Sequence, residues 1–191
     1  HVVESERGLL ITTNQSVFRE TRLDFQRLTP RLCWAALDAA YVAGNKRITI
    51  IHGNETVNVT KMVRYFPGMI IAEEKIGSTV LESIGTDEMN YDLLVGRIYN
   101  ITITLISDAI SALNKKDEKF FARVKYRDYT LNSYVSMALR YSLEHKLSAP
   151  HFAYVKTLEM FADKLCEYLQ QDPNAQFLEQ LYLYYEIVRS L

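Results

Sequence analysis

The second half of the chain consists of long amphipathic segments separated by short polar breaks, and no other feature restricts the fold as strongly. Between residues 87 and 190, apolar side chains recur every three or four positions, which is the spacing of a helix with one buried face. The breaks fall at residues 114–117, 147–150 and 172–173. Helices joined by such short connections pack antiparallel to their sequence neighbours. We therefore predict an antiparallel bundle of three to four helices over residues 87–191.

The first half mixes helix and strand signals. Thr29 and Pro30 are typical of the N-cap and first turn of a helix, and Gly44 is typical of its C-terminal end. The pattern after that helix predicts a strand at Arg47–His52, a helix from about Glu55 to Phe66, and strands at Met69–Ile76 and Ser78–Ile84. Residues 1–28 are predicted to be a poorly defined leader, with a strand-like stretch after Gly8. The predicted fold class is thus α+β, with a small α/β region of about three strands and two helices at residues 1–86 and the bundle at residues 87–191.

The composition is that of an ordinary globular protein and disfavours several kinds of partner. Of the 191 residues, 48% are hydrophobic, and the formal net charge is −1. No overall basic field therefore favours nucleic acid or an anionic membrane. Cys33 and Cys166 fall on apolar helix faces, which indicates buried thiols in a reducing compartment. No apolar run reaches the roughly 18 residues that a bilayer requires, so we expect a cytoplasmic protein without a membrane span.

Asp128 is the most informative polar residue of the bundle because it falls inside the apolar stripe of its own helix. Val124, Leu131 and Val135 belong to that stripe, and Asn132 follows Asp128 one turn later. A buried carboxylate without a partner costs several kcal/mol, so it is either neutralised or paired. The partner could be an arginine, a lysine, a tyrosine hydroxyl or a metal ion. A structural ion pair or hydrogen bond is the commonest outcome.

Two further carboxylates, Glu159 and Asp163, stand four residues apart beside the apolar stripe of the segment Phe152–Leu169. At that spacing two side chains share one helix face, and like charges repel each other. A metal ion, a lysine or an arginine between them would remove the repulsion. Most acidic pairs on a helix flank are nevertheless simply solvated surface.

The sequence lacks the usual enzyme motifs. It contains no G-x-x-x-x-G-K-[ST] or G-x-G-x-x-G phosphate loop, no C-x-x-C pair and no H-E-x-x-H zinc motif. Glu144 and His145 are adjacent, so they cannot form the Glu-x-x-His motif of di-iron bundles. No serine or cysteine has a histidine in the context that a nucleophile needs. We therefore predict a protein that is not an enzyme.

Two acidic segments of the bundle resemble helices of the PhoU proteins, which regulate phosphate uptake. The stretch VKTLEMFAD at residues 155–163 is similar to the LExxxD helix of that family. The stretch RDYTLN at residues 127–132 is similar to the other acidic helix, usually D-x-x-x-D, with Asn132 in place of the second carboxylate. The break at residues 113–117 resembles the point where PhoU helices reverse direction.

The first half resembles an archaeal variant of the same family, in which an AbrB-like DNA-binding segment precedes an α/β region and the PhoU helices. Residues 40–50 are similar to the "YLAG…I.I" passage of that variant, and residues 62–74 are similar to its "RRLxGxEIxEE" passage. The AbrB-like segment would be missing here, or reduced to a final strand near Leu9–Thr12. The resemblance covers most of residues 29–170.

The resemblance implies a non-enzymatic negative regulator that controls phosphate uptake through protein–protein contacts. Its partner would be a phosphate transporter ATPase or a sensor kinase, and the chain would form a homo-oligomer. Some members of the family hold iron or zinc clusters on their acidic motifs. Carried onto this sequence, the metal ligands would be Asp128, Glu159 and Asp163. With the AbrB-like segment absent, no nucleic-acid partner is expected.

Two other functions stay open at the level of the sequence. The chain could be the dimerisation and ligand-sensing part of a transcription regulator whose AbrB-like DNA-binding segment is absent here. It could also be a metal-binding helical-bundle protein that uses the same three carboxylates.

Overall fold

The chain folds as an α+β protein, with a four-stranded sheet in its first half and a helical region after it, which confirms the predicted fold class. The structure is a computed structural model that describes residues 2–5, 8–11, 19–53, 58–84, 90–115, 118–169 and 175–190. Side chains are described from residue 19 onward, except at 118–121, 175 and 184–190. The predicted boundary between the two regions, at residues 86–87, lies outside the described residues.

The described elements follow one another as two strands, a βαβαββ unit and a series of helices. The strands are β1 at Val2–Ser5, β2 at Gly8–Ile11, β3 at Glu20–Asp24, β4 at Arg47–Gly53, β5 at Met69–Lys75 and β6 at Gly77–Ser83. The helices are α1 at Pro30–Val42, α2 at Val59–Val63, α3 at Tyr91–Lys115, α4 at Glu118–Glu144, α5 at Ala149–Leu169 and α6 at Ala175–Ser190.

The sheet has the strand order β3-β4-β6-β5. β3 pairs parallel to β4, whereas β6 pairs antiparallel to both β4 and β5. Ile48, Ile50 and Leu81 are buried and belong to the hydrophobic core. β1 and β2 form a separate antiparallel pair.

Residues 1–28 were predicted to be a poorly defined leader, but β3 lies within them and belongs to the sheet. The prediction of a leader is therefore wrong for residues 20–24. The apolar signal of β3 is weak because only Thr21 and Leu23 are half-buried, whereas the alternate side chains are exposed. Its hydrogen-bonding partner is β4, which follows only after the whole of α1. A short edge strand of this kind depends on a distant partner and has little local signature. β2 does fall in the strand-like stretch that was predicted after Gly8.

Helix α1 begins and ends where the sequence indicated. Thr29 is the N-cap, and its hydroxyl accepts a hydrogen bond from the backbone N–H of Leu32 at 3.4 Å. Pro30 occupies the first helical position, where a missing N–H costs nothing. Gly44, just beyond the C-terminal end, has a φ of +79°, a conformation that glycine adopts without a Cβ clash.

Helix α2 is much shorter than the predicted helix from about Glu55 to Phe66. It begins after Asn58, whose side chain accepts a hydrogen bond from the backbone N–H of Lys61 at 2.9 Å. Residues 54–57, where the prediction placed the first turn, lie outside the described residues. Val59, Met62 and Phe66 do face inward as predicted, but a single turn and a short loop are enough to place them. β-Branched residues at 59, 60 and 63 favour this early end.

The helices of the second half pack in an antiparallel arrangement, as predicted. Arg127 on α4 forms an ion pair with Asp108 near the end of α3. Arg97 near the start of α3 donates a hydrogen bond to the hydroxyl of Tyr134 at 3.4 Å. α4 therefore runs against α3, and α5 and α6 complete the bundle against these two. The bundle core includes Ile98, Leu105, Ile106, Leu131, Val135, Val155, Leu158 and Leu165.

The side chain of Asn90 caps helix α3. Its Oδ1 accepts hydrogen bonds from the backbone N–H groups of Asp92 at 2.8 Å and Leu93 at 3.4 Å. These are two of the donors that the first turn of a helix leaves without a partner.

Helix α3 is also long and apolar enough to cross a membrane, judged by its length and composition alone. Within its most apolar window, 39% is buried inside the protein. Central helices of water-soluble bundles pass the same test, because their buried faces are as apolar as a membrane span. The expectation of a chain without a membrane span therefore stays a prediction.

Helix α1 packs against α4, so the two halves of the chain are in direct contact. Ser136 on α4 donates a hydrogen bond to Oδ1 of Asp38 at 2.5 Å. One turn further along both helices, Arg140 donates to the backbone carbonyl oxygen of Tyr41 at 3.4 Å. The Arg140 guanidinium also lies 4.8 Å from the Tyr41 ring centroid and pairs with Glu144. Because both contacts advance in the same direction, α1 runs parallel to α4.

Candidate functional site

Asp128 lies half-buried on α4 and faces α5, as its place in the apolar stripe predicted. Its Oδ1 atom is fully buried and accepts no hydrogen bond from any residue that the structure describes. Burial, together with the carboxylates of Asp163 and Glu159, raises the pKa of Asp128 to about 6. The common outcome for a buried carboxylate, a structural hydrogen bond, is therefore not found at this oxygen.

Glu159 and Asp163 lie on α5 close enough to Asp128 to act on its charge, so the three predicted site residues come together. We refer to these three residues as the acidic cluster. The ammonium group of Lys156 lies against Oε2 of Glu159 without hydrogen-bond geometry, so this contact is an ion pair. Asp163 is exposed to solvent. A lysine, one of the partners expected for the acidic pair, is thus present at Glu159.

The acidic cluster does not by itself have the geometry of a metal site. Within the part of the chain that the structure describes, no group of three or more His, Cys, Asp or Glu side chains is arranged to hold a metal ion. The orphaned Oδ1 of Asp128 is nevertheless the kind of atom that a cation would satisfy. The assignment of iron or zinc ligands to Asp128, Glu159 and Asp163 stays a prediction. A metal site at the acidic cluster would need further ligands from another copy of the chain or from outside the described residues.

A small cavity of about 370 Å³ opens beside the acidic cluster, lined by Asp128, Cys166 and Leu169 among others. Cys166 is half-buried and forms no disulfide. Burial and the charges of Asp128 and Asp163 raise the pKa of the Cys166 thiol to about 12. A thiol held in its neutral form is a poor nucleophile. The prediction of buried thiols without a disulfide is confirmed at Cys33, whereas Cys166 is free but only half-buried.

A larger cavity of about 650 Å³ lies where α1 meets α4 and α5, and we refer to it as the junction cavity. Its lining residues are Arg31, Trp34, Ala35, Asp38, Tyr65, Phe66, Tyr129, Asn132, Ser133, Ser136 and Glu159. The volume is within the range of about 300–1,000 Å³ that is usual for small-molecule sites. The mixture of aromatic walls and a few polar groups is also typical of such sites.

Aromatic rings form one wall of the junction cavity. The Trp34 and Tyr65 ring centroids are 5.1 Å apart in an edge-to-face arrangement. Tyr65 meets Tyr129 in the same way at 5.4 Å, so one tyrosine joins α1 to α4. Trp34 and Tyr129 remain 36% and 39% exposed, respectively. Aromatic faces that the core does not cover are available to a ligand.

The polar groups of the junction cavity differ in how well they are satisfied. Asp38 accepts the hydrogen bond from Ser136. The buried Oδ1 of Asn132 accepts none from any described residue. Glu159 belongs both to the lining of the junction cavity and to the acidic cluster. A change in the charge of Glu159 therefore alters the electrostatics of both sites. The site as a whole extends from Arg31 on α1 to Asp163 on α5.

The sequence indicated the acidic cluster but not the junction cavity. Asp128, Glu159 and Asp163 stood out because each breaks or borders a helical stripe. Trp34, Tyr65 and Tyr129 carried no such signal, because aromatic residues at helical spacing are usually core. The cavity depends on α1 contacting α4, and the Asp38–Ser136 bond joins residues 98 positions apart. Asn132 was the available clue, since it is an amide next to the apolar stripe.

The comparisons with known proteins identify no relative of this chain. No family model, no curated protein and no solved structure matches its sequence or its fold.

Proposed function

We propose that the chain is a non-enzymatic regulator of phosphate uptake that acts through contacts with other proteins, as the PhoU resemblance implies. The observation that supports this proposal best is the acidic cluster. The two segments that resemble the acidic helices of PhoU proteins pack side by side as α4 and α5, and their carboxylates come together. Consecutive helices joined by a short turn pack side by side in any case, so the supporting point is that the two acidic motifs face each other.

A regulator of this class needs a surface that another protein can bind. Asp163 is exposed, and Glu159 is 21% exposed beside the Lys156 ammonium. Charged groups on the rim of an interface mainly set partner choice and association rate. We propose that the exposed side of α5 contacts a phosphate transporter ATPase or a sensor kinase in the cytoplasm, and that the chain works as a homo-oligomer.

The experiment is a deletion of the gene in its source organism, with phosphate uptake measured in phosphate-rich and phosphate-poor medium. A negative regulator predicts uptake that stays high in rich medium, and the full chain should co-purify with the transporter ATPase or the kinase. Complementation by the double variant Glu159→Gln/Asp163→Asn should fail. Glu74→Gln is the matched control, because Glu74 is an exposed carboxylate on β5 rather than on α5. Unchanged uptake after deletion, with neither partner recovered, would refute the proposal.

Metal binding at the acidic cluster is tested separately by elemental analysis of the purified full chain. Stoichiometric iron or zinc that is lost in Asp128→Leu and retained in Glu167→Gln would support Asp128, Glu159 and Asp163 as ligands. Protein without bound metal after reconstitution with either ion would exclude them. Recording the oligomeric state with and without the metal shows whether two copies supply the ligands together.

A second candidate function is ligand sensing within a transcription regulator. The junction cavity favours it, because the cavity lies between the α/β region and the helices, where a bound molecule would touch both. Ligands commonly bind in clefts between structural units, where they can bias the arrangement of the two. Binding of a small molecule that changes the contact between α1 and α4 would support this candidate.

A further inference from the structure

We propose that the junction cavity is a nucleotide site, in which a base lies against Trp34 and Tyr129 and the phosphate is held at Arg31. The inference rests on the ligand-sensing candidate and gives its ligand a chemical class. It does not depend on the acidic cluster holding a metal or on the phosphate-uptake role.

The shape and wall of the cavity favour a flat aromatic ligand. A volume of about 650 Å³ is larger than a single phosphate ion or a metal ion would fill. The exposed faces of Trp34 and Tyr129 lie on either side of Tyr65. Nucleobases stack on such side chains whatever their identity, because every base has a π-face.

Acceptor groups in the lining of the cavity favour a ligand that donates hydrogen bonds. The Asn132 side chain lines the cavity, and its amide offers an acceptor oxygen as well as donor N–H groups. The Glu159 carboxylate on α5 is a second acceptor in the same lining. The exocyclic amine of adenine, guanine or cytosine supplies N–H groups to both, whereas a carboxylate or a bare aromatic hydrocarbon supplies none.

The charges at the two ends of the cavity are opposite. Arg31 and Asp38 lie seven residues apart on α1, which is about 10 Å along a helix axis. Asp38 is already engaged by Ser136. Arg31 is exposed, and a guanidinium binds phosphate oxygens in a bidentate manner. The lining therefore favours a ligand that has a flat body with N–H donors and an anionic group at one end. A nucleotide has both features.

The experiment is calorimetric titration of the full chain with AMP, GMP, CMP, adenosine, free tryptophan and inorganic phosphate. We expect the nucleoside monophosphates to bind, adenosine to bind about tenfold more weakly, and phosphate alone not to bind. Arg31→Gln should lower AMP affinity about tenfold to the adenosine level and leave adenosine affinity unchanged. Arg22→Gln is the matched control, since Arg22 is an exposed arginine on β3 that does not line the cavity.

Trp34→Ala should weaken AMP and adenosine alike, by tenfold or more, because the base loses its stacking surface. Three results would overturn the inference: no binding of any nucleotide at millimolar concentration, tryptophan or phosphate binding in place of nucleotides, or equal loss of AMP and adenosine binding in Arg31→Gln. Arg31 is exposed, so its variant tests the site even where Trp34→Ala fails to fold. If no nucleotide binds, the proposed role in phosphate uptake is not affected. If deletion of the gene leaves phosphate uptake unchanged, the proposed nucleotide site is not affected.

Discussion

Asp128 combines a buried oxygen that lacks a hydrogen-bond partner among the described residues with two neighbouring carboxylates, so its protonation state affects the stability of the bundle. Its pKa rises from an ordinary 3.8 to about 6 in the folded chain. The folded state favours the neutral form of Asp128, so the protonated side chain stabilises the fold fully when the pH is below the ordinary pKa of 3.8. This stabilisation is lost as the pH rises through the folded-state pKa of about 6. At neutral pH the ionised side chain therefore destabilises the metal-free fold.

We expect Asp128→Asn, measured in the presence of a chelator, to raise the melting temperature at about pH 7 and to change it little at about pH 4. The neutral amide reproduces the protonated carboxyl at all pH values. Thermal melts of the wild-type and variant chains across this range check the prediction. A lower melting temperature for Asp128→Asn at neutral pH would contradict the prediction.

Arg140 is 2% exposed and is the buried cation at the contact between α1 and α4. Its Nε donates to Glu144 at 3.1 Å, and its guanidinium lies over the Tyr41 ring. Glu144 is exposed, so the buried member of this ion pair is Arg140. The same residue therefore contributes through an ion pair, a backbone hydrogen bond and a cation–π contact.

We expect Arg140→Ala to lower the free energy of unfolding by about 3 kcal/mol, since it empties the space of a large buried side chain and removes its hydrogen bonds. Arg97→Ala is the matched control. Arg97 makes a cation–π contact of the same kind, 5.7 Å from the Tyr134 ring centroid, but it is exposed. Its replacement should cost less than about 1 kcal/mol. Urea denaturation of both variants makes the comparison, and equal losses would contradict it.

At the scale of elements, the sequence predicted what local chemistry determines and missed what distant pairing determines. α1 was predicted because Thr29 and Gly44 mark its two ends. β3 was missed because its alternation is weak and its partner is β4. α2 was predicted too long because inward spacing at Val59 and Met62 suits a long helix and a single turn equally well. The acidic cluster could be predicted for the same local reason, and the junction cavity could not.

The cap of α3 gives a prediction at this scale. Asn90→Ala removes the acceptor for two backbone N–H groups and should cost about 1 kcal/mol of folding stability. Asn90→Asp keeps an acceptor in the same place and should be close to neutral or slightly stabilising, because a negative charge is favourable at a helix N-terminus. Chemical denaturation separates the two outcomes, and equal stability of both variants would show that the cap contributes nothing.

On the scale of the whole molecule, the helical half is organised around α3. Ile98, Leu105 and Ile106 are completely buried, and α4, α5 and α6 all contact this helix. These contacts bury part of its apolar surface, amounting to 39% of its most apolar window. The net charge of −1 adds no attraction to anionic lipid.

We accordingly expect the purified chain to stay in the aqueous fraction when it is centrifuged with vesicles of neutral or anionic lipid. The reason is that α3 would have to leave the bundle core before it could enter a bilayer, and that would expose the core of its neighbours. Vesicle flotation measures the partition directly. Recovery of the protein with the floating lipid, in a form that alkaline carbonate does not remove, would count against this arrangement.

The parallel contact between α1 and α4 should allow the protein to assemble from two separately expressed halves. Asp38–Ser136 and Tyr41–Arg140 hold residues that lie on opposite sides of the chain segment 85–89. Two polypeptides that meet within that segment, produced separately and mixed, should reassemble into one particle with a single melting transition. Arg140→Ala in the second polypeptide should prevent the reassembly.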